Sequence, residues 1–409
     1  MNTPLLILLV LIAIGGGVYY YISLRPGSKS SLKESYSEGL DLLVSGQRKE
    51  AYQHFKTIVQ HDTNNVKAYI KLGQVIREGG NPTQALKIHK NLTIRSKITT
   101  FEKIELHKNL SLDYADLGNL ENAISEAENI LNLNKTSEWA LSHLIDFYKK
   151  KENWGKASEY LHQYQEVTKT QDSHLVGLYK IQEGRIALKN KEFQKSRELL
   201  EDSLKIDSDL SSGYLFLGNS FADESEIAYK KAMDIDDKEF QTQDEKQEYV
   251  GFVQLAKQQL ARAIPMWVQF TERESDQSWL VLPKIKDALF ALNRFNEIEE
   301  VLKKILKNDA DNVDAISSLA DFYNQKGSRK EAIDMISFAI EKEPDSLIAN
   351  VIRLKLSTYK GDLNEVRKDC DNLISLFMKE VYQQMNSHNV KGDIDWLEKN
   401  SPKGTSIQA

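Results

Sequence analysis

Residues 73–92 read GQVIREGGNPTQALKIHKNL. Gly73 and Ala85 stand twelve positions apart, on either side of a Gly79-Gly80-Asn81 turn. Around them Tyr69, Leu72, Ile76 and Leu92 recur at helical spacing. Two small residues so placed let two antiparallel helices approach closely, with large residues filling the space beside them. The stretch therefore specifies a helix, a turn and a second helix.

The same pairing recurs along the chain. Small residues lie twelve apart at Gly39/Ala51, Ser111/Ala123, Gly184/Ser196, Gly251/Ala263 and Ala320/Ala332. Ala51 to Ala85, Ala123 to Ala157, Ile298 to Ala332 and Ala332 to Val366 each span 34 residues. A 34-residue period of paired helices is the signature of tetratricopeptide repeats. Further turns fall at Ser45–Gln47, Leu117–Asn119 and Lys326–Ser328, and Pro344 closes a late unit. The expected fold is all-α, an α-solenoid of about nine to ten helix pairs over residues 32–376. Two spacings are stretched, 38 from Ala85 to Ala123 and 39 from Ala157 to Ser196. The sixth unit reads as shortened, because Tyr214, Leu217, Gly218 and Phe221 are followed early by Tyr229 and Ala232.

Composition agrees. Of 409 residues only 7 are proline and 20 glycine, so helix breakers are scarce. Lys plus Arg is 54 and Asp plus Glu is 60, a net charge of −6 that disfavours nucleic acid as a partner. The one cysteine, Cys370, leaves no intrachain disulfide and no cysteine-rich metal site.

No charged side chain occurs in residues 1–24, and residues 4–22 read PLLILLVLIAIGGGVYYYI. At about 1.5 Å per residue that run reaches roughly 28 Å, close to a bilayer core. No basic residue precedes it, and Tyr19, Tyr20 and Tyr21 stand where a cleavable signal peptide would have small residues. The reading is a single-pass transmembrane anchor over 1–24. Arg25, Lys29 and Lys33 follow the span, which places the rest of the chain in the cytoplasm. Residues 25–31, RPGSKSS, read as a linker.

No phosphate-binding loop and no H-E-x-x-H motif occurs. His89 stands where other repeats carry Phe55 or Leu200, and Cys370 at the matching place in the last repeat; both read as buried core side chains. There is no catalytic constellation, so neither enzyme activity nor a cofactor is expected. Repeat arrays bind extended peptides or helices on their concave face. Register places Arg77, Lys108, Asp146, Lys149, Arg185 and Asn219 on that partner groove.

The anchor, the stretched third repeat and the segment Gly80–Leu92, GNPTQALKIHKNL, together resemble the lipopolysaccharide assembly protein B family of Gram-negative bacteria over nearly the full length. The resemblance implies an uncleaved N-terminal helix in the inner membrane, about nine cytoplasmic repeats and a C-terminal rubredoxin-type metal knuckle. It also implies a non-enzymatic adaptor between a membrane-bound AAA+ protease and the deacetylase of the lipid A pathway, alongside other inner-membrane lipopolysaccharide proteins. The chain departs from the family at the knuckle. Tyr382 and Trp396 keep the family's separation, but the four cysteine positions fall on Gln384, Ser387, Glu398 and Ser401. Residues 377–409 are therefore expected to be a degenerate, metal-free tail, mobile or packed on the last repeats. The rival reading is a membrane-tethered repeat scaffold for another envelope complex.

Overall fold

The computed structural model describes residues 28–95, 97–236, 242–383 and 390–401. The anchor assigned to residues 1–24 lies outside them. Among the described residues there is no strand, and no helix is long and apolar enough to cross a membrane.

Among the described residues the helices form two compact units, one up to residue 151 with 163–169, the other 152–162 with the residues from 170 onward. The first unit holds α1 (Ser28–Val44), α2 (Arg48–His61), α3 (Val66–Glu78), α4 (Pro82–Thr93), α5 (Thr100–Asp116), α6 (Leu120–Leu133) and α7 (Glu138–Lys150). Helix α8 (Trp154–Thr168) contributes to both units. The second unit continues with α9 (Ser173–Lys189), α10 (Phe193–Ile206), α11 (Ser211–Asp236) and α12 (Gln243–Arg273). A 3-10 turn at Ser275–Leu280 leads to α13 (Leu282–Ala291), α14 (Asn296–Asn308), α15 (Val313–Lys326) and α16 (Arg329–Lys342). Then come α17 (Leu347–Lys360), α18 (Leu363–Gln383) and a separate α19 (Gly392–Lys399). Among the described residues eight hairpins pack as pairs: α1/α2, α3/α4, α5/α6, α9/α10, α11/α12, α13/α14, α15/α16 and α17/α18.

The expected turns are where the backbone changes hand. Gly46, Gly80, Gly118 and Gly327 take φ of 75°, 90°, 74° and 91°, a region that side chains resist. Asn65, Asn81, Asn119 and Ser137 each accept a hydrogen bond from the backbone three residues on, capping α3, α4, α6 and α7.

The small-residue rule has a concrete contact behind it. A β-carbon added at Gly73 would stand 2.3 Å from His89, and one at Gly184 would stand 2.9 Å from Leu200. At the corresponding serines the hydroxyl spans the crossing: Ser111 Oγ donates to the Ala123 carbonyl and Ser196 Oγ to the Gly184 carbonyl, both at 2.8 Å. Ala332 belongs to the same class, fully buried among Ala320, Ile336 and Leu356. Ala332→Trp is expected to cost about 1–3 kcal/mol or more through overpacking. An unchanged thermal midpoint would contradict this packing.

Several sequence expectations change. The sixth unit is not shortened, and Gly251/Ala263 is not a crossing of its own. Residues 222–236 contain no glycine or proline, so α11 runs on for 26 residues and packs along the 31-residue α12. Gly218 meets Trp267 instead, whose Cδ1 and Nε1 would lie 2.5 Å from an added β-carbon, while Gly251 has nothing within 4 Å. Two sequence units thus merge into one long pair. Helix α1 starts at Ser28, inside the stretch read as linker, because no breaker follows Gly27. Helix α18 likewise runs past 376 to Gln383. Cys370 is half-buried, since among the described residues no further helix pair follows α18 to cover it. Leu363, Ile374, Phe377 and Met378 on the same helix are exposed.

In the second unit α13, α15 and α17 are pinned by Asp321. Its carboxylate accepts from Lys286 Nζ at 3.1 Å and Lys355 Nζ at 2.5 Å. Burial raises its pKa, but the two ammonium partners outweigh that and hold it below the usual value.

Candidate partner groove and its C-terminal occupant

The six groove residues fall into different surroundings. In the first unit Arg77 is buried, not open to a partner. Its Nη1 donates to the Asn109 carbonyl at 3.3 Å, to Asn109 Oδ1 at 3.1 Å and to Asp113 Oδ1 at 3.1 Å. The other oxygen of Asp113 meets His89 Nδ1 at 2.5 Å, and His89 Nε2 donates to the Ile70 carbonyl at 3.1 Å. With Asp113 and His89 fully buried, this chain of bonds ties α3, α4 and α5 together. The groove assignment failed for Arg77 because register does not show that Asp113, on the next repeat, faces it. Lys108 pairs with Glu105 at 2.8 Å and lies over the Trp139 ring. Asp146 and Lys149 form a loose pair at 4.0 Å.

In the second unit Asn219 Oδ1 accepts from Trp267 Nε1 at 3.1 Å and Lys284 Nζ at 3.4 Å. Arg185 has a different kind of neighbour, the C-terminal helix α19. Its Nη1 donates to Gln182 Oε1 at 2.8 Å and to the Leu397 carbonyl at 3.1 Å. Its Nη2 reaches Glu398 Oε1 at 3.2 Å and Ser401 Oγ at 3.1 Å. Gln182 Nε2 donates to the carbonyls of Leu397 at 2.9 Å and Asn400 at 3.0 Å. The last carbonyls of a helix have no partner within it and carry partial negative charge, so a guanidinium and an amide placed there satisfy both. Burial lowers the Arg185 pKa to about 10, with Glu398 opposing the shift, so the side chain stays charged at neutral pH.

Apolar packing completes the seat. Ile394 and Leu397 are buried in one cluster with Leu178, Ile181 and Phe216. The Trp396 ring stacks on Tyr179, with centroids 5.8 Å apart, and meets Trp154 edge-on at 6.1 Å. Asp393 accepts from His174 Nε2, and Asp207 from His174 Nδ1, each at 2.8 Å.

The described part of the tail beyond α18, residues 390–401, therefore packs on α9 and α11, not on the last repeats. Of the four positions aligned with knuckle ligands, Gln384 and Ser387 lie outside the described residues. The other two, Glu398 and Ser401, are bound by Arg185. A thiolate-held metal does not fit here: the donors are not sulfur, and a guanidinium cation sits against two of them. Among the described residues no group of three or more His, Cys, Asp or Glu could hold a metal ion. Sequence reasoning missed Trp154, His174, Tyr179, Gln182 and Asp393. One signal was available: Tyr179, Gln182 and Arg185 recur every three residues, a single face of α9.

The His174 bridge makes docking pH-dependent. Partial burial lowers the His174 pKa, but hydrogen bonds to Asp393 and Asp207 raise it further, for a net rise above the ordinary 6.5. The stability it contributes is thus complete below 6.5 and is lost as pH rises through its raised value. The backbone N–H of Asp209 is the main group holding Asp207 below its ordinary 3.8; partial burial opposes this and His174 adds to it. That contribution is present above 3.8 and is lost as pH falls. From about pH 6 to about pH 9, hydrogen-exchange protection of α19 should decline in the wild type and stay flat in His174→Gln. Identical profiles would remove His174 from the seat.

No protein-family model matches the chain. It is similar to lipopolysaccharide assembly protein B of Escherichia coli strain K12, at 20% identity over 279 residues, covering 66% of this chain and 71% of that protein. Lipopolysaccharide assembly protein B of Haemophilus influenzae is 24% identical over 165 residues, 37% of this chain and 42% of that protein. Among solved structures, the C-terminal part of a tetratricopeptide-repeat protein from Cytophaga hutchinsonii matches 69% of this chain and 99% of its own, at 18% identity and a TM-score of 0.34. A tetratricopeptide-repeat protein from Parabacteroides merdae matches 80% and 99%, at 14% identity and a TM-score of 0.30. With its 34-residue helix pairs, the chain is a protein of tetratricopeptide-like repeats similar in sequence to lipopolysaccharide assembly protein B.

Proposed function

We propose that this chain is a non-enzymatic scaffold of lipopolysaccharide synthesis or assembly. The observation that carries the reading is the similarity over 71% of the Escherichia coli assembly protein. In this reading residues 1–24 are a single inner-membrane anchor, the repeats from α1 to α18 lie in the cytoplasm, and the tail beyond α18 is metal-free. The finer function is to bring a membrane-bound AAA+ protease to the deacetylase that commits precursor to lipid A. The mechanism is co-localisation: a partner held on a tethered scaffold meets another at raised effective concentration, with no bond made or broken by the scaffold. The exposed Asp146 and the half-buried Lys108 and Lys149 belong to a protein-binding surface of the first unit, the half-buried Asn219 to one of the second, and Arg185 to the seat of the tail.

Affinity capture of the full chain from membranes should recover both the protease and the deacetylase. Recovery of neither, with an unrelated envelope complex in their place, would contradict the adaptor reading. The tail is held without metal, so a chelator should leave the thermal midpoint of the purified protein unchanged, and elemental analysis should find less than about one zinc or iron per chain. A midpoint lowered by the chelator would overturn that assignment.

A further inference from the structure

The groove between α9 and α11 treats α19 as a ligand. Gln182 and Arg185 grip main-chain carbonyls, which any helix end presents, and not only side chains particular to this tail. Around that grip lie separate recognition elements: a hydrophobic seat for Ile394 and Leu397, an aromatic wall of Tyr179 and Trp154 for Trp396, and cations at His174 and Arg185 for Asp393 and Glu398. An amphipathic helix laid in a groove with spaced anchors is a general mode of protein recognition. The occupant comes from the same chain but from more than two hundred residues away, so its position reflects docking and not local folding.

The electrostatics also permit release. A buried ion pair is costly to break when one partner stays buried and unpaired. Arg185 also donates to Gln182 and lies over the Phe216 ring, partners on α9 and α11 that remain when α19 leaves, and the half-exposed Glu398 departs with the tail. What holds the tail is apolar packing together with the bonds from Gln182 and Arg185, and a second helix of the same chemistry offers the same set of contacts.

We propose that the α9–α11 groove is a helix-end binding site whose resident occupant, residues 390–401, is displaced by a partner helix of matching chemistry. The partner segment carries an acidic residue, two apolar anchors, an aromatic residue between them and an acidic residue at a helix end, as Asp393, Ile394, Trp396, Leu397 and Glu398 do. The tail is then an internal competitor: being tethered, it sets the threshold affinity that a partner must exceed. This goes beyond the scaffold reading and does not depend on which pathway the partner serves.

The test uses the full chain and a fluorescent peptide of the sequence VKGDIDWLEKNS, residues 390–401. Leu397→Asp in the chain places a charge in the apolar seat and empties the groove. The peptide should bind that variant at least about tenfold more tightly than the wild type, whose groove is filled. Adding Arg185→Ala to Leu397→Asp should abolish the gain. Trp396→Ala combined with Glu398→Gln provides a second emptied chain that leaves Leu397 untouched, and it should behave alike. Equal affinity for wild-type and emptied chains, no binding to either emptied chain, or binding indifferent to Arg185 would each overturn the proposal.

Discussion

Gly73→Leu is expected to destabilise the first unit by about 3 kcal/mol, near the upper end for overpacking a core. An added β-carbon alone would stand 2.3 Å from His89 Nε2. His89 has nowhere to go, because Nδ1 is held by Asp113 and Nε2 by the Ile70 carbonyl. Displacing it also strips a partner from Asp113, a fully buried carboxylate that Arg77 binds on its other side. A buried group that loses a hydrogen-bond partner costs about 1–3 kcal/mol, which adds to the overpacking and keeps the expected loss at about 3 kcal/mol or more. Gly251→Leu is the control: it meets nothing within 4 Å and should be neutral or slightly stabilising through helix propensity. Urea unfolding of the two variants checks both. A loss at Gly73 below about 0.5 kcal/mol would mean that the crossing is looser than described.

The second large effect belongs to Leu397→Ala. Truncating a fully buried leucine costs about 2–5 kcal/mol where the site cannot collapse. Leu397 is fully buried, but it lies on a short terminal helix. The chain can respond by releasing α19 while α9 and α11 stay folded, so the global loss is limited to what docking contributed. The variant should therefore keep nearly the wild-type melting temperature and open its tail. A shift of about 2 kcal/mol raises the open population roughly thirtyfold, and tryptic cleavage at Lys391 should accelerate in proportion. An unchanged cleavage rate would show that Leu397 does not hold the tail.

What the sequence disclosed and what it withheld follow from the range of the interactions. The helix pairs were legible because their determinants are local: small residues twelve apart and, at Gly46, Gly80, Gly118 and Gly327, a glycine in the turn. The sixth unit was misread for the same reason. Gly251 and Ala263 have the correct spacing by coincidence, and only the contact of Gly218 with Trp267 shows that one hairpin has absorbed two units. Register placed Arg77 and Arg185 in the same class, yet one is locked to Asp113 inside the first unit and the other caps the tail of the second. The difference lies in partners 36 and 212 residues away, which no local pattern encodes. For the tail's seat the sequence offered only the shared face of Tyr179, Gln182 and Arg185, and Trp396 stood out only through the resemblance to the family's knuckle.

Hydrogen exchange of the full-length chain, read on the amides of residues 395–400, tests the seating of the tail most directly. In the wild type these amides should exchange at least about a hundredfold more slowly than in an unstructured peptide, and Arg185→Ala should remove most of that protection while leaving α9 and α11 protected. Exchange at the unstructured rate in the wild type, or protection that Arg185→Ala leaves intact, would contradict the account.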